Sequence, residues 1–380
     1  MAMGINIFYL FLTVSAVIYL LVILLVTVGW YRVKPDDLLD NISGLTVSVV
    51  VAVRNEEKNI EHLLKDLAHQ DYLKEEVEVI IVNDQSEDKT VEIIERFMRE
   101  WPRMDIKLFY SDKEGKKAAL SQGIENAKGE LVVTTDGDCR MEPFWLGKMV
   151  AFYKKHDCKL IIGPVIYQNE KGMNQKFFSL DFMSLVAAGA GSVGIGLPFM
   201  GNGANLLFER EAWLKVSSGN SGKRFVSGDD VFLVQGMVKN FSSHAVRFIK
   251  DPSAMVTTNP PENFKEFLSQ RIRWASKAKG YRTIWPVVVS TIVFLFNACI
   301  VSAFFAILFK TWFFIIFCIF VFLKLAVDYP LMKEFSSFAG KKKLLPMLFP
   351  FAFIYPFYVV IAAFSALFFR FEWKGRKGLK

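Results

Sequence analysis

The sequence predicts an α/β domain with a Rossmann-like parallel sheet, held between one N-terminal and about three C-terminal transmembrane helices. Two observations support this fold class. The chain of 380 residues is 52% hydrophobic and has a mean hydropathy of +0.29, which is too apolar for an ordinary soluble protein. Between its apolar ends, short β-branched runs alternate with helical stretches, as in a parallel sheet that is covered on both faces.

The first apolar segment, residues 5–30, contains no charged residue. A helix rises about 1.5 Å per residue, so a segment of this length crosses a hydrocarbon core of about 30 Å. The segment has no basic n-region, is too long for an h-region and shows no convincing small-residue cleavage site. We therefore expect a membrane anchor in preference to a cleaved signal peptide.

Three further apolar segments follow the central part of the chain. Residues 284–309 and 345–369 are about as long as the first segment, whereas residues 311–332 contain Lys324 and Asp328. These two charges are four positions apart and share one face of a helix. We expect them to form a structural pair rather than an ion pathway.

Basic residues beside the spans predict the orientation in the membrane. No Lys or Arg precedes the first span, whereas Arg32 and Lys34 follow it. The positive-inside rule then places the N-terminus outside and residues 31–283 in the cytoplasm of a multi-pass inner or plasma membrane protein. The basic tail, residues 370–380, contradicts the rule if residues 345–369 cross completely. A re-entrant or surface segment would remove the conflict, so the topology of this last segment stays open.

The net charge of +8 does not indicate a nucleic-acid-binding protein. The basic residues gather beside the spans, where anionic lipid headgroups attract them, and no nucleic-acid-binding motif occurs. The four cysteines and four histidines show neither metal-ligand spacing nor a disulfide framework. We therefore expect a membrane partner and no nucleic-acid partner.

The central region divides into predicted strands and helices. The strands are residues 46–53, 77–82, 106–110 and 131–135, and the helices between them are residues 57–69, 88–101 and 116–127. Ligands of such sheets bind outside the carboxyl ends of the strands. No GxGxxG motif follows the first strand and no GxxxxGK[ST] motif occurs, which disfavours a dinucleotide oxidoreductase and excludes a P-loop NTPase.

Acidic residues stand at two of these strand ends. Asp84 follows the second strand, and Asp136-Gly137-Asp138 follows the fourth. Two carboxylates with a glycine between them suit an oxygen-coordinated divalent cation, because glycine permits a close backbone approach. The simpler alternatives are that Asp84 caps the helix beginning near Asp88 and that Asp-Gly-Asp is an ordinary turn.

A second acidic pair, Asp229-Asp230, follows Gly228 at the start of a predicted helix. Acidic side chains at a helix start are ordinarily stabilised by the helix dipole, and that is the structural alternative to a role in a site.

The segment from Gln270 to Trp274 lies in a predicted helix over residues 262–281 that precedes a span. At about 100° per residue this helix has two faces. The first carries Gln270, Arg273, Trp274 and Lys277, and the second carries Phe264, Phe267, Leu268, Ala275 and Ala278. We expect an interfacial amphipathic helix whose first face lines a site and whose second face meets the bilayer or the core.

In their order along the chain, these motifs resemble those of the membrane-bound family 2 glycosyltransferases, whose relatives make cellulose, hyaluronan, chitin oligomers and glucosylceramide. The resemblance spans residues 46–274. It implies an α/β, Rossmann-like domain of the GT-A kind. The expected division is a transmembrane anchor (1–30), a cytoplasmic catalytic domain (31–261), an interfacial helix (262–283), and a C-terminal transmembrane region with a basic tail (284–380).

The resemblance also implies roles for individual residues. Donor-binding residues would be Glu56, Asp84, Lys116, Asp136 and Arg273. Asp138 and Asp136 would hold Mg²⁺ or Mn²⁺ against the diphosphate of a nucleotide sugar. Asp230, with Asp229 in reserve, would be the catalytic base, and Arg273 would stabilise the leaving group. For Glu56 and Lys116 the alternative, solvation at a helix start, stays open.

Acceptor-binding residues implied by the resemblance are Asn202, Gln270 and Trp274. Asn202 lies in a polar loop over residues 199–205, where the cellulose synthases have a cysteine and a threonine that are missing from this loop. The acceptor therefore stays open at this point. Trp274 offers a flat aromatic face to a sugar ring.

The expected function is inverting transfer of a sugar from a nucleoside diphosphate sugar, with UDP-sugar favoured, to a lipid or short oligosaccharide. The short chain and few spans favour this acceptor over the product of a processive polysaccharide synthase, which is the alternative. A catalytically inactive nucleotide-sugar sensor or a transporter subunit are alternatives of another class. The intact Asp138, Asp230 and Arg273 argue against the sensor, and the missing paired hydrophobic repeats argue against the transporter.

Overall fold

The structure, a computed structural model, describes residues 2–37, 44–217, 229–276, 280–281, 283–368, 372–373 and 376–377. Its strands are β1 (Val47–Val53), β2 (Val77–Asn83), β3 (Asp105–Tyr110), β4 (Leu131–Asp136), β5 (Arg140–Met141), β6 (Leu160–Ile162), β7 (Val165–Tyr167), β8 (Leu206–Glu209), β9 (Val246–Phe248), β10 (Val256–Thr258), β11 (Glu372–Trp373) and β12 (Arg376–Lys377). Its α-helices are α1 (Ala2–Arg32), α2 (Ile60–Ala68), α3 (Thr90–Glu100), α4 (Lys116–Asn126), α5 (Trp145–Lys155), α6 (Gly172–Gly194), α7 (Arg210–Ser217), α8 (Asp229–Asn240), α9 (Phe264–Ser276), α10 (Trp285–Ala306), α11 (Phe313–Phe338) and α12 (Leu348–Phe368).

The main sheet has seven strands in the order β3-β2-β1-β4-β8-β6-β9. The first four are parallel, and they are the four strands that the sequence predicts, with ends that agree within one residue. The residues of β1, β2 and β4 are almost all buried, since these strands carry apolar side chains on both faces, whereas the edge strand β3 has one buried residue. The carboxyl ends of β1, β2 and β4 therefore meet at one edge.

Beyond the four predicted strands the main sheet is mixed. Strand β8 lies between β4 and β6 and is antiparallel to both. Strand β8 has only four residues, three of them apolar, and so short a run has no periodicity that gives its direction, so the sequence does not fix this pairing. A second sheet, β5-β10-β7, lies beside the first and is built of strands too short to show a pattern.

Helix α6 is an element that the sequence analysis missed. It is one of five helices, within the described part of the chain, that are long and apolar enough to cross a membrane. It differs from the other four because 67% of its apolar window is buried inside the protein, against 28% for α10. The charges Lys176 and Asp181 interrupt its apolar pattern, which hides it from a search for spans.

Glycines allow α6 to approach α1 very closely. A Cβ at Gly194 would lie 1.9 Å from the carbonyl oxygen of Gly29, and one at Gly191 would lie 2.3 Å from that of Val26. Contacts at this distance are possible only between backbones without side chains, as at many helix crossings in membranes. The anchor helix is thereby joined directly to the central part of the protein.

Helices α1, α10, α11 and α12 correspond to the four predicted spans and pack around a second apolar core. Tyr19 of α1 stacks on Phe296 of α10 with ring centroids 4.5 Å apart. The predicted pair of Lys324 and Asp328 is confirmed, and Tyr19 joins it by donating to Asp328 at 2.7 Å. A paired charge of this kind avoids the cost of an isolated ion among apolar helices.

Two polar contacts fasten these helices to the α/β domain. Lys250 donates to the carbonyl oxygens of Trp30 at 3.1 Å and Val33 at 3.0 Å, at the end of α1. Lys341, which follows α11, pairs with Glu170 just before α6 at 2.8 Å. The C-terminal ends of α1 and α11 therefore lie next to the α/β domain.

The close crossing of α1 and α6 can be tested at Gly194. We expect Gly194→Ala to force the two helices apart and to lower the free energy of unfolding by about 1–3 kcal/mol, the usual cost of overpacking. The control is Gly147→Ala in α5, where the nearest atom to the new Cβ is 3.4 Å away. Thermal unfolding of the purified protein in detergent measures both, and equal unfolding midpoints for the two variants would contradict the described contact.

Candidate active site

A cavity of about 260 Å³ lies at the carboxyl end of β4. Five charged residues predicted to act in the site line it: Lys116, Asp136, Asp138, Asp230 and Arg273. So do the three predicted acceptor residues, Asn202, Gln270 and Trp274. The structure thus brings together residues from the strand end, α4, α8 and α9 that are far apart in the sequence.

Asp84 does not line the cavity but supports one of its walls. Its buried carboxylate accepts from the backbone N–H of Gly115 at 2.9 Å, and its own N–H donates to Val53 at 2.8 Å. The helix-cap alternative does not hold, because Asp88 accepts from the N–H of Thr90 at the start of α3. Asp84 therefore fixes the turn from which α4 and Lys116 begin.

Gly115 has a backbone φ of 108°, a conformation that favours glycine. It stands immediately before Lys116, the first residue of α4, whose ammonium pairs with Asp136 at 2.5 Å. The contact between Asp84 and Gly115 therefore acts indirectly on the position of this ion pair.

Asp138 is desolvated by burial and lies near other negative charges. Burial, together with the charges of Asp136 and Glu56, raises the pKa of its carboxyl group to about 6, against the opposing effect of a hydrogen bond from Thr258 at 2.9 Å. Thr258 belongs to β10, so the second sheet holds Asp138 in place. A bound cation would relieve the repulsion between these carboxylates.

Glu56 approaches the Asp-Gly-Asp turn because residue 137 has no side chain. A Cβ at Gly137 would lie 2.9 Å from Cγ of Glu56. The Glu56 carboxylate also accepts a hydrogen bond from Asn59 Nδ2 at 2.9 Å, just before α2. This is a local contact at a helix start, so that alternative for Glu56 stays open.

Within the described residues, no three His, Cys, Asp or Glu side chains come together as a metal-binding group. Of the three carboxylates that line the cavity, Asp136 and Asp138 are the ones that stand at the end of β4. A magnesium-type ion commonly takes only one or two protein carboxylates and completes its shell with phosphate and water oxygens. The residues present fit an ion held partly by its substrate.

Asp230 faces the cavity from the start of α8. Its Oδ1 accepts from the N–H of Val231 at 2.8 Å, and its Oδ2 lies 3.4 Å from the N–H of Gly203. Burial, followed by the Asp230 charge, raises the pKa of Tyr281 to about 12. The side chain of Asp229 lies outside the described part of the structure, as does Gly228.

Arg273 of α9 interacts electrostatically with both Asp230 and Asp136. Burial lowers the pKa of its guanidinium, whereas the charges of Asp230 and Asp136 raise it. Burial lowers the pKa of the Lys116 ammonium, but the charges of the same two carboxylates raise it above its usual value. Two cations and three carboxylates thus share one small cavity.

The predicted polar face of α9 lines the cavity, with Lys277 outside the described residues. Of the opposite face, Phe267 is fully buried and stacks on Phe178 with centroids 4.2 Å apart, so it belongs to the core. Phe264 is 45% exposed. The prediction of one helix over residues 262–281 was too long: the described α-helix ends at Ser276, and Tyr281 is not helical.

Asn202 lies in a loop that a neighbouring side chain keeps rigid. Asn205 is fully buried, donates to the carbonyl oxygens of Pro164 and Ala254, and accepts from Trp145 Nε1 at 3.0 Å. Asn202 itself accepts from the N–H of Ala204 at 3.1 Å and lines the cavity.

The apolar wall of the cavity was missed from the sequence. It is formed by one face of α6 together with Met200 and Phe248, and the α6 residues are Phe182, Leu185, Val186, Gly189 and Ala190. The apolar stretch over residues 185–197 was the available signal, but nothing local shows that it faces a site. Tyr281 was missed as well.

Comparison with known proteins identifies the family. The model for "Glycosyl transferase family 2" matches residues 48–200, and that for "Glycosyl transferase family group 2" matches residues 131–365, more than half of the chain. The chain belongs to glycosyltransferase family 2. The predicted resemblance is thus confirmed, and the protein is an enzyme.

Individual relatives of this glycosyltransferase differ in what they make. One relative is the dolichyl N-acetyl-alpha-D-glucosaminyl phosphate 3-beta-D-2,3-diacetamido-2,3-dideoxy-beta-D-glucuronosyltransferase of Methanococcus voltae. The chain is 23% identical to it over 238 residues, which are 62% of the chain and 73% of the relative. It is 27% identical over 247 residues, 64% of the chain and 56% of the relative, to the poly-beta-1,6-N-acetyl-D-glucosamine synthase of Staphylococcus aureus.

Among solved structures, the mannosyltransferase PcManGT of Pyrobaculum calidifontis, in complex with GDP-Man and Mn²⁺, has a similar fold. The TM-score is 0.60 at 19% identity, and the match covers 94% of this chain and 97% of that one. The likeness therefore includes the apolar helices as well as the α/β domain, and it confirms the predicted fold class.

Proposed function

We propose that this glycosyltransferase transfers a sugar from a nucleoside diphosphate sugar, with UDP-sugar favoured, to a lipid-linked acceptor, and inverts the anomeric centre. The observation that carries the proposal is the two-sided cavity. Cations and carboxylates gather at the strand end, while one face of α6 supplies an apolar wall. A donor with a charged diphosphate and an acceptor with an apolar part match these two sides.

At the charged side, we assign the donor to Asp136, Lys116 and Arg273, with Asp84 and Glu56 supporting them. When bound to Asp138 and Asp136, Mg²⁺ or Mn²⁺ would stabilise the leaving diphosphate as a Lewis acid. The complex of the Pyrobaculum mannosyltransferase with GDP-Man and Mn²⁺ supports a nucleotide sugar and a divalent ion for this fold. The fork of Arg273 donors suits phosphate oxygens.

The reaction is a direct displacement. The acceptor hydroxyl loses its proton to the Asp230 carboxylate as its oxygen bonds to the anomeric carbon, and the bond from that carbon to the diphosphate oxygen breaks. An α-linked donor then gives a β-linked product. Positioned base catalysis of this kind contributes about 10²- to 10⁴-fold in rate.

At the other side, we assign the acceptor to Trp274, Gln270 and Asn202. The apolar residues of α6 favour a lipid-linked acceptor, and the dolichyl phosphate in the name of the Methanococcus relative is of that class. The polysaccharide synthase of Staphylococcus aureus keeps the processive alternative open.

The proposed setting is a membrane with the catalytic domain, residues 31–261, in the cytoplasm. The basic residues Arg32 and Lys34 that follow α1 support this orientation. The contacts of Lys250 with Trp30 and of Lys341 with Glu170 place two helix ends on the same side as the domain.

The metal assignment predicts that EDTA abolishes transfer. Asp138→Asn should lower the rate by about 10³-fold or more while the protein stays folded, because the leaving group loses its Lewis acid. Asp105→Asn, at an exposed carboxylate on β3, is the control. Radiolabelled transfer to membrane lipids measures both, and activity that survives EDTA and Asp138→Asn would show that the assignment is wrong.

The base assignment predicts a separation of binding from chemistry. Asp230→Asn should retain nucleotide affinity and lower kcat by about 10²-fold or more, since Asp230 acts on the acceptor. Nucleotide titration and initial rates measure the two effects. If Asp229→Asn were inactive and Asp230→Asn active, Asp229 would be the base.

The acceptor assignment predicts the behaviour of Trp274→Ala. An aromatic face on a sugar contributes about 1 kcal/mol, so this variant should use acceptor less well and bind donor normally. Phe264→Ala, at a half-exposed aromatic residue of the same helix that does not line the cavity, is the control. With a lipid acceptor, the variant should make the same single product more slowly. A long polymer from the wild type, shortened by Trp274→Ala on a sizing gel, would establish the processive alternative.

A further inference from the structure

We infer that Arg271 and Asp181 form a positioning pair that holds Trp274 and Gln270 in place for the acceptor. This inference rests on the proposed function, since it concerns the acceptor side of the same cavity. Neither Arg271 nor Asp181 lines that cavity, and no role was expected of either from the sequence.

Arg271 and Asp181 are joined by a deeply buried ion pair. Arg271 is 6% exposed and Asp181 is 3% exposed. Arg271 Nε donates to Asp181 Oδ2 at 2.7 Å, and Nη2 lies 2.5 Å from the same oxygen. Asp181 belongs to α6 and Arg271 to α9, so the pair joins two walls of the cavity.

The guanidinium lies between two aromatic rings of its own helix. Its central carbon is 4.5 Å from the centroid of Phe267 and 4.4 Å from that of Trp274. A planar cation stacked at this distance limits the tilt of the Trp274 ring, and it does so only while Asp181 fixes the cation. Trp274 also lines the cavity, so the position of its ring bears on the acceptor side.

Arg271 also orients the side chain of Gln270. Its Nη1 donates to Gln270 Oε1 at 2.5 Å, and the Tyr167 hydroxyl donates to the same oxygen at 3.0 Å. A guanidinium only donates, so the atom that it meets must be the amide oxygen. The NH₂ group of Gln270 is then the part that can donate to an acceptor hydroxyl.

Helix α6 also supplies an apolar neighbour of Trp274, Phe182. Phe182, next to Asp181, stacks on Tyr167 with centroids 4.4 Å apart and contacts Trp274 at 6.1 Å. The position of α6 therefore determines both the polar and the apolar contacts around Trp274. A buried ion pair is by itself weak evidence for a stabilising role. Here the remaining contacts of Arg271 connect it to two residues that line the cavity.

The test compares Arg271→Lys and Asp181→Asn with Lys341→Met in the full-length enzyme. Lysine keeps the charge but has neither the planar stack nor the fork of donors. Lys341→Met removes another ion pair beside α6, with Glu170, whose residues do not line the cavity. Steady-state rates are measured with varied acceptor and with varied donor, and nucleotide affinity is measured by titration.

We expect Arg271→Lys and Asp181→Asn to lower kcat/KM for the acceptor by about 10- to 10²-fold, mainly through KM, because small misplacements of positioning groups have effects of this size. Nucleotide affinity and KM for the donor should not change. The double variant should lower kcat/KM for the acceptor no more than the more strongly affected single variant does, because both changes disrupt the same ion pair.

Two outcomes separate failure of this inference from failure of the proposed function. If the wild type transfers sugar and Arg271→Lys changes the acceptor KM no more than Lys341→Met does, the positioning role is wrong and the function stands. A wild type that transfers no sugar from any nucleotide donor overturns both. If Asp181→Asn does not fold, Arg271→Lys alone decides, since it keeps the buried charge paired.

Discussion

Negative charge concentrated at the carboxyl end of β4 is the constraint on which the rest of the site depends. Asp136, Asp138 and Asp230 share a small cavity, and burial together with the charges of Asp136 and Glu56 raises the pKa of Asp138 to about 6. Repulsion of this kind persists only if the surrounding structure enforces it and if cations offset it. Lys116 and Arg273 provide part of that offset, and a divalent ion would add to it.

Under the proposed function, the same cavity also has to accommodate a lipid-linked acceptor, and α6 supplies its apolar wall. The helix crosses α1 with glycine backbones in contact, lines the cavity with apolar side chains, and reaches α9 through Asp181. Anchor, acceptor wall and the Gln270–Trp274 segment are therefore parts of one packed unit. This arrangement supports the proposal that a lipid-linked acceptor meets a charged donor site in this cavity.

The sequence predicted those parts of the fold and site that have a local pattern. Strands β1 to β4 are short β-branched runs, and the residues at their ends stand where a parallel sheet places its ligands. The direction of β8 and the role of α6 were not predictable, because a strand of four residues has too short a pattern to show its direction, and Lys176 and Asp181 interrupt the apolar pattern of α6. The partner of Asp181 lies 90 positions away at Arg271, and no local pattern connects them.

The most direct test of the central claim is a crystal structure of the enzyme with Mn²⁺ and an unreactive nucleotide-sugar analogue, with the anomalous scattering of manganese measured. The account predicts one manganese peak at coordinating distance from the Asp138 carboxylate, bridged to a diphosphate that contacts Arg273. A nucleotide bound in the cavity with no manganese beside Asp138, or a manganese peak elsewhere in the protein, would contradict it.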